Sequence, residues 1–125
     1  MAELHVEIVS VERRIWSGEA QSVVARTTEG EIGVLPGHVP LLGEVASGGT
    51  VQITQAGGQD IVAAVHGGFI SVTDRGVTIL AEVAELSDDI DTGRAKAALE
   101  RARTDGDEPA VRRAESRLRA TGSLT

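Results

Sequence analysis

The chain has 125 residues, 41% of them apolar, a formal charge of −7, one Lys and no Cys. That composition supports a packed core and excludes a disordered chain, and the missing thiols exclude disulfides, zinc–thiolate sites and thiol chemistry. Trp16 and Phe69 are the only aromatic residues, so the core is aliphatic; with the negative charge, this argues against a nucleic-acid partner and against a sugar-binding sandwich, both of which use exposed aromatic faces.

The first two-thirds reads as short strands. Leu4, Val6 and Ile8 alternate with His5, Glu7 and Val9, the period of a half-buried strand. Ser22 to Thr27 is apolar and β-branched and ends at Thr28, Glu29 and Gly30. Leu41 to Ala46 closes at Ser47, Gly48 and Gly49. Val51, Ile53 and Gln55 alternate with Gln52 and Thr54 before a hairpin signal at Ala56, Gly57, Gly58 and Gln59. Ile61 to Val65 is a continuous apolar strand that Gly67 and Gly68 are expected to stop. Phe69 to Thr73 alternates again, and Asp74, Arg75 and Gly76 turn the chain into Val77 to Val83. Turn signals at such short intervals indicate a sandwich or barrel.

Near residue 86 the period changes. Ser87 to Asp91 supplies N-cap chemistry, with Asp91 as the cap. Ala95, Ala98, Leu99 and Ala102 follow helical spacing. Thr104 to Asp107 breaks that helix, and Pro109 suits the first turn of a second, whose stripe is Val111, Ala114 and Leu118. Two domains follow: a β-domain over residues 1–86 and a helical hairpin over 87–125. Each helix is short and its stripe mostly Ala, so the hairpin is expected to be weakly held. Residues 1–91 carry 4 basic and 14 acidic residues, whereas residues 92–125 carry 8 and 5; the two parts should attract each other.

Chemistry is sparse. Lys96 follows no Gly-rich loop, so no P-loop exists. His5, His38 and His66 lack metal-ligand spacing and read as turn or surface histidines; no metal site and no catalytic residue is expected. No apolar run approaches the ~20 residues of a membrane span, and the start lacks the regions of a signal peptide. The expectation is a soluble intracellular chain that reaches a membrane only through a partner.

Two stretches exceed a generic β-domain. One is the string from Glu29 to Leu42, E-G-E-I-G-V-L-P-G-H-V-P-L-L. The other is Gly67 to Val72 with Val77 to Glu82, joined by Ile90, Asp91, Arg94 and Ala95. Together they resemble the epsilon subunit of bacterial F-type ATP synthases, over nearly the whole chain. The high Ala and Arg content suggests an actinobacterial source. The resemblance implies a ten-stranded β-sandwich followed by a C-terminal helix-turn-helix. It implies a non-catalytic rotor subunit that binds the gamma subunit and the c-subunit ring, couples proton flow to ATP synthesis, and regulates ATP hydrolysis through helices that reach the alpha/beta head. Location would be peripheral, on the cytoplasmic face of the plasma membrane. Glu29, Gly30 and Glu31 match the family loop facing the c-ring, and His38 a position near gamma. No cofactor is required. Some members bind ATP in the hairpin, and their pattern implies Glu85, Ile90, Asp91, Arg94, Ala95, Arg101, Arg113 and Arg117 as nucleotide ligands. Arg94 and Arg101 are two turns apart on one helix face, and Arg113 and Arg117 are neighbours on the next helix; planar guanidiniums suit phosphate oxygens. Salt-bridged helix surfaces explain the same arginines. The competing function is a free-standing ATP-binding sensor built on the hairpin.

Overall fold

The computed structural model describes residues 3–46, 48–55, 57 and 60–122. Eight strands precede two helices among these residues: β1 Leu4–Ser10, β2 Arg14–Ala20, β3 Ser22–Thr27, β4 Gly30–Val34, β5 Leu41–Glu44, β6 Gly49–Thr54, β7 Asp60–Thr73, β8 Gly76–Leu86, α1 Thr92–Asp105 and α2 Glu108–Ala120. A 3-10 turn, Ser87–Asp89, joins β8 to α1.

The hydrogen-bonded order is β2-β1-β8-β7-β6-β3-β4, with β5 on the other half of β7. All pairs are antiparallel except β1 with β8. The first half of β7 pairs with β6, and residues 69–72 pair with β5. β1 pairs only with residues 77–81 of β8. The two long strands therefore belong to both layers of a sandwich. One layer is β2, β1, the start of β8, the end of β7, and β5. The other is the end of β8, the start of β7, β6, β3 and β4. The expected ten strands become eight because β7 and β8 each run unbroken from one layer to the other.

Inside lies one aliphatic core, with Val6, Ile8, Val23, Val51, Ile53, Val65, Ile70 and Ile79 fully covered. Its residues on β7 change parity between Val65 and Ile70. Gly67 and Gly68 absorb that change: they bend the strand rather than stop it, which corrects the sequence expectation. The sequence reading also passed over β2, an edge strand whose exposed charges and Gly18 dilute its alternation, and β4, which lies within the motif string from Glu29 to Leu42. The expected turn at Ala56, Gly58 and Gln59 falls outside the described residues, as do Ser47, Met1, Ala2 and residues 123–125.

Helix α1 begins as the sequence demands. The Asp91 carboxylate accepts from the Arg94 N–H at 3.0 Å, and Asp107 caps α2 by accepting from the Ala110 N–H at 3.2 Å. The helices pack through Ala95, Leu99, Ala114 and Leu118. Ser116 and Ala120 are buried as well. Residues two apart on an α-helix point ~200° apart, so Ser116 and Ala120 face away from Ala114 and Leu118. One face of α2 meets α1; the other lies on the strands β6 and β7.

Candidate functional site

The chemistry concentrates where the hairpin meets the sandwich. A cleft of about 480 Å³ is lined by Glu85 from β8, Asp89, Ile90 and Asp91 from the entry to α1, Arg94, Ala95, Ala97, Ala98 and Arg101 from α1, and Arg117 from α2. The fold thus gathers seven of the eight residues expected to hold nucleotide. Arg113 is the exception: it is exposed on α2 and does not line the cleft.

The seven are not equivalent. Arg117 donates through Nε to Glu85 Oε1 at 2.6 Å, an ion pair between partly buried groups that ties the hairpin to the sandwich. Asp91 is committed to capping α1. The Arg94 contact to it is through the backbone N–H, so the guanidiniums of Arg94 and Arg101 have no ion-pair partner among the described residues. Two uncommitted cations beside a small apolar wall of Ile90, Ala95 and Ala98 make a site for an anion with a flat apolar part.

The second anchor of the hairpin is backbone. Ser116 is fully buried and its hydroxyl donates to the Gly49 carbonyl at 2.8 Å, while Arg119 reaches the Gly48 carbonyl at 3.4 Å. A methyl group on Gly48 would lie 2.8 Å from the Arg112 carbonyl oxygen, so the α2 backbone is seated directly on this turn. Sequence reasoning missed Ser116 because a serine amid arginines reads as helix surface. The available signal was its spacing with Arg112 and Ala120, i, i+4 and i+8, which makes a second stripe.

His66 is the other residue that sequence reasoning misplaced. It is buried under α2, not in a turn or on the surface. Burial first, and Arg117 next, lower its pKa from 6.5 to about 4, with Glu85 opposing.

The residues expected to face partners lie elsewhere. Glu29 and Gly30 form the β3–β4 turn, braced by Thr27, whose hydroxyl donates to the Gly30 carbonyl at 2.6 Å and accepts from the Glu29 N–H at 3.2 Å. Glu31 follows on β4; both carboxylates are exposed. His38 lies beyond the far end of β4, its Nδ1 2.6 Å from the Val39 carbonyl. A five-residue strand separates the two places by roughly 16 Å, so they form two surfaces. A third was not foreseen. Phe69 and Leu80 are Cα partners on the outer face of the first layer, about half exposed, and Leu42 is 72% exposed on the neighbouring β5. Glu44 pairs with Phe69 at one edge of this patch, and Val9 lies between Leu80 and Arg14 at the other.

A two-layer β-sandwich of this connectivity with a docked C-terminal helical hairpin defines the fold class of the chain. Residues 3–87 match the family model for the ATP synthase delta/epsilon chain β-sandwich domain. The chain is 58% identical over 122 residues to the ATP synthase epsilon chain of Streptomyces avermitilis, covering 98% of each. It is 59% identical over 120 residues to that of Rhodococcus opacus, covering 96% of this chain and 97% of the relative. One solved relative is a chain of the Euglena gracilis mitochondrial ATP synthase, an OSCP/F1/c-ring assembly, with TM-score 0.75, 30% identity and coverage of 98% of this chain and 79% of that one. A second, from the central stalk and c-ring of the Tetrahymena thermophila mitochondrial enzyme, has TM-score 0.56 at 14% identity and shares the fold. The chain belongs to the epsilon-chain family of F-type ATP synthases, a non-catalytic subunit of that complex, and its relatives place it among the actinobacterial members.

Proposed function

We propose that the sandwich is a rotor coupling that joins the gamma subunit to the c-ring, on the cytoplasmic face of the membrane, and that the hairpin is its regulatory arm. The apolar patch of Leu42, Phe69 and Leu80 carries the first part. An apolar centre with Glu44 and Arg14 at its rim has the anatomy of a protein interface, and a monomer in water gains nothing by exposing it. Gamma is assigned to this patch because the exposed carboxylates at Glu29 and Glu31 suit the basic loops of a c-ring. His38 marks a third contact, toward gamma. Torque transfer needs a stiff body, which the unbroken β7 and β8 supply by belonging to both layers. In Phe69→Asp and Leu80→Asp chains, co-purification of gamma with the epsilon chain should fall more than tenfold, because a buried unpaired charge costs about 2–5 kcal/mol. Undiminished co-purification would refute the assignment of this face.

ATP, or a nucleotide like it, is the ligand the arginine cleft supports, as a regulatory effector rather than a substrate. Arg94 and Arg101 would take the phosphates, and Ile90 with Ala95 the base. A nucleotide bound there touches the entry to α1 and Arg117 of α2, and so favours the docked hairpin. Titration calorimetry with Mg-ATP should show one site per chain. Arg94→Ala and Arg101→Ala should each weaken it about tenfold or more, from the ~1.5–3 kcal/mol of a charge-assisted bond. No heat at millimolar nucleotide would remove ATP from this account.

A further inference from the structure

His66 takes no part in the nucleotide reading. Val65 points into the core, so the alternation of β7 puts Ala64 and His66 on its outer face, beneath α2. The ring is 6% exposed, and neither Nδ1 nor Nε2 has a hydrogen-bond partner among the described residues. A buried imidazole with both nitrogens unpaired is costly, and here the cost falls on the seam that holds the hairpin down.

The charges around it come from several elements. From β8, Glu85 Oε1 lies 3.7 Å from Nε2, but Arg117 already holds that oxygen at 2.6 Å. From α2, Arg117 and Arg113 both set positive charge against the ring. β6 carries no titratable residue, β5 carries Glu44 opposite Phe69, and the 3-10 turn carries Asp88 and Asp89; none of these acidic groups bears on the ring. Two cations thus oppose one committed carboxylate.

We propose that His66 is a proton-operated latch: the docked hairpin keeps its ring neutral, and protonation releases the hairpin from the sandwich. This rests on the reading of the hairpin as a detachable arm. Lifting α2 removes Arg113 and Arg117 from the ring and admits water, so the released state accepts the proton that the docked state refuses. Above the ordinary imidazole value of 6.5 both states hold a neutral ring, and docking does not depend on its proton. Between 6.5 and about 4, the value in the docked state, only the released state is protonated. Docking therefore weakens as pH falls through that window, by up to about tenfold per pH unit, and levels off below it.

Amide hydrogen exchange of the full-length chain, corrected for intrinsic rates, tests this, with β6 as internal reference. The opening constant of α2 should rise about tenfold between pH 7.5 and pH 5.5 in the unmodified chain and stay flat in His66→Asn, with His66→Gln as the second variant if that one folds poorly. Ring resonances of His66 should titrate well below 6.5. The same rise in the variants, or a ring titrating near 6.5 while α2 remains protected, overturns the latch and leaves the detachable arm standing. If α2 exchanges only together with β6, both readings fall.

Discussion

Replacing Gly68 with Ala is expected to lower the melting temperature by roughly 10–25 °C. Gly68 has φ +141°, and an added methyl would lie 2.1 Å from the Leu80 carbonyl oxygen and 2.8 Å from the Ala81 Cα. Both neighbours are backbone on the adjacent strand, so no side chain can swing aside. Forced backbone conformation costs about 1–3 kcal/mol, and displacing packed neighbours costs about as much again. Together these take away a large part of the ~5–15 kcal/mol that holds a domain folded. The damage falls where β7 and β8 pass between layers, so both layers should melt in one transition. Differential scanning calorimetry checks this; a melting temperature within ~3 °C of the unmodified chain would mean that the bend relaxes freely.

Gly48→Ala should have the opposite character, releasing the hairpin while the sandwich stays folded. Gly48 has φ +77°, so the methyl costs about 1–2 kcal/mol in either state. In the docked state alone it also meets the Arg112 carbonyl oxygen at 2.8 Å and the Arg112 Cβ at 3.1 Å. A steric cost of about 1–3 kcal/mol confined to one state shifts docking by about tenfold or more. Limited trypsin digestion reports it well, because short helices that have lost their docking contacts unfold and offer the backbone at the eight basic residues of 92–125 to the protease. Cleavage in the hairpin should quicken about tenfold, with residues 3–87 surviving as a protected core. Under the regulatory role proposed for the hairpin, release of the arm should lower ATP hydrolysis by the assembled enzyme. Unchanged digestion would show that the Gly48 contact is dispensable.

Both predictions depend on glycines whose role has no sequence signature. Gly67 and Gly68 read as a strand stop because positive-φ residues usually end strands; that they carry one strand from layer to layer follows only from the register of β7 with β5, β6 and β8. The helix cap at Asp91, the break at Thr104 to Asp107, the stripe of Leu99 and Leu118, and the alternation of β1 and β6 were legible because each is decided by residues within a few positions of one another. The motif string from Glu29 to Leu42 was legible as a family signature, although the edge strand β4 within it was not.

The cleft shows the same division. Asp91, Arg94 and Arg101 share one helix, and their spacing alone put them near one another. Glu85 and Arg117 are 32 positions apart, and only the docking of α2 makes them a pair. Arg113 shares the α2 sequence pattern with Arg117 yet stands outside the cleft, because the seating of α2 on Gly48 and Gly49 fixes its rotation. Composition and local periodicity by themselves determined an aliphatic β-domain, sandwich or barrel, followed by a helical hairpin, and the absence of thiol or P-loop chemistry. Which face of α2 is buried, which arginines remain uncommitted, and the burial of His66 without a partner were decided by tertiary contact. These depend on how two preformed surfaces meet, and no short-range pattern in the chain encodes that angle.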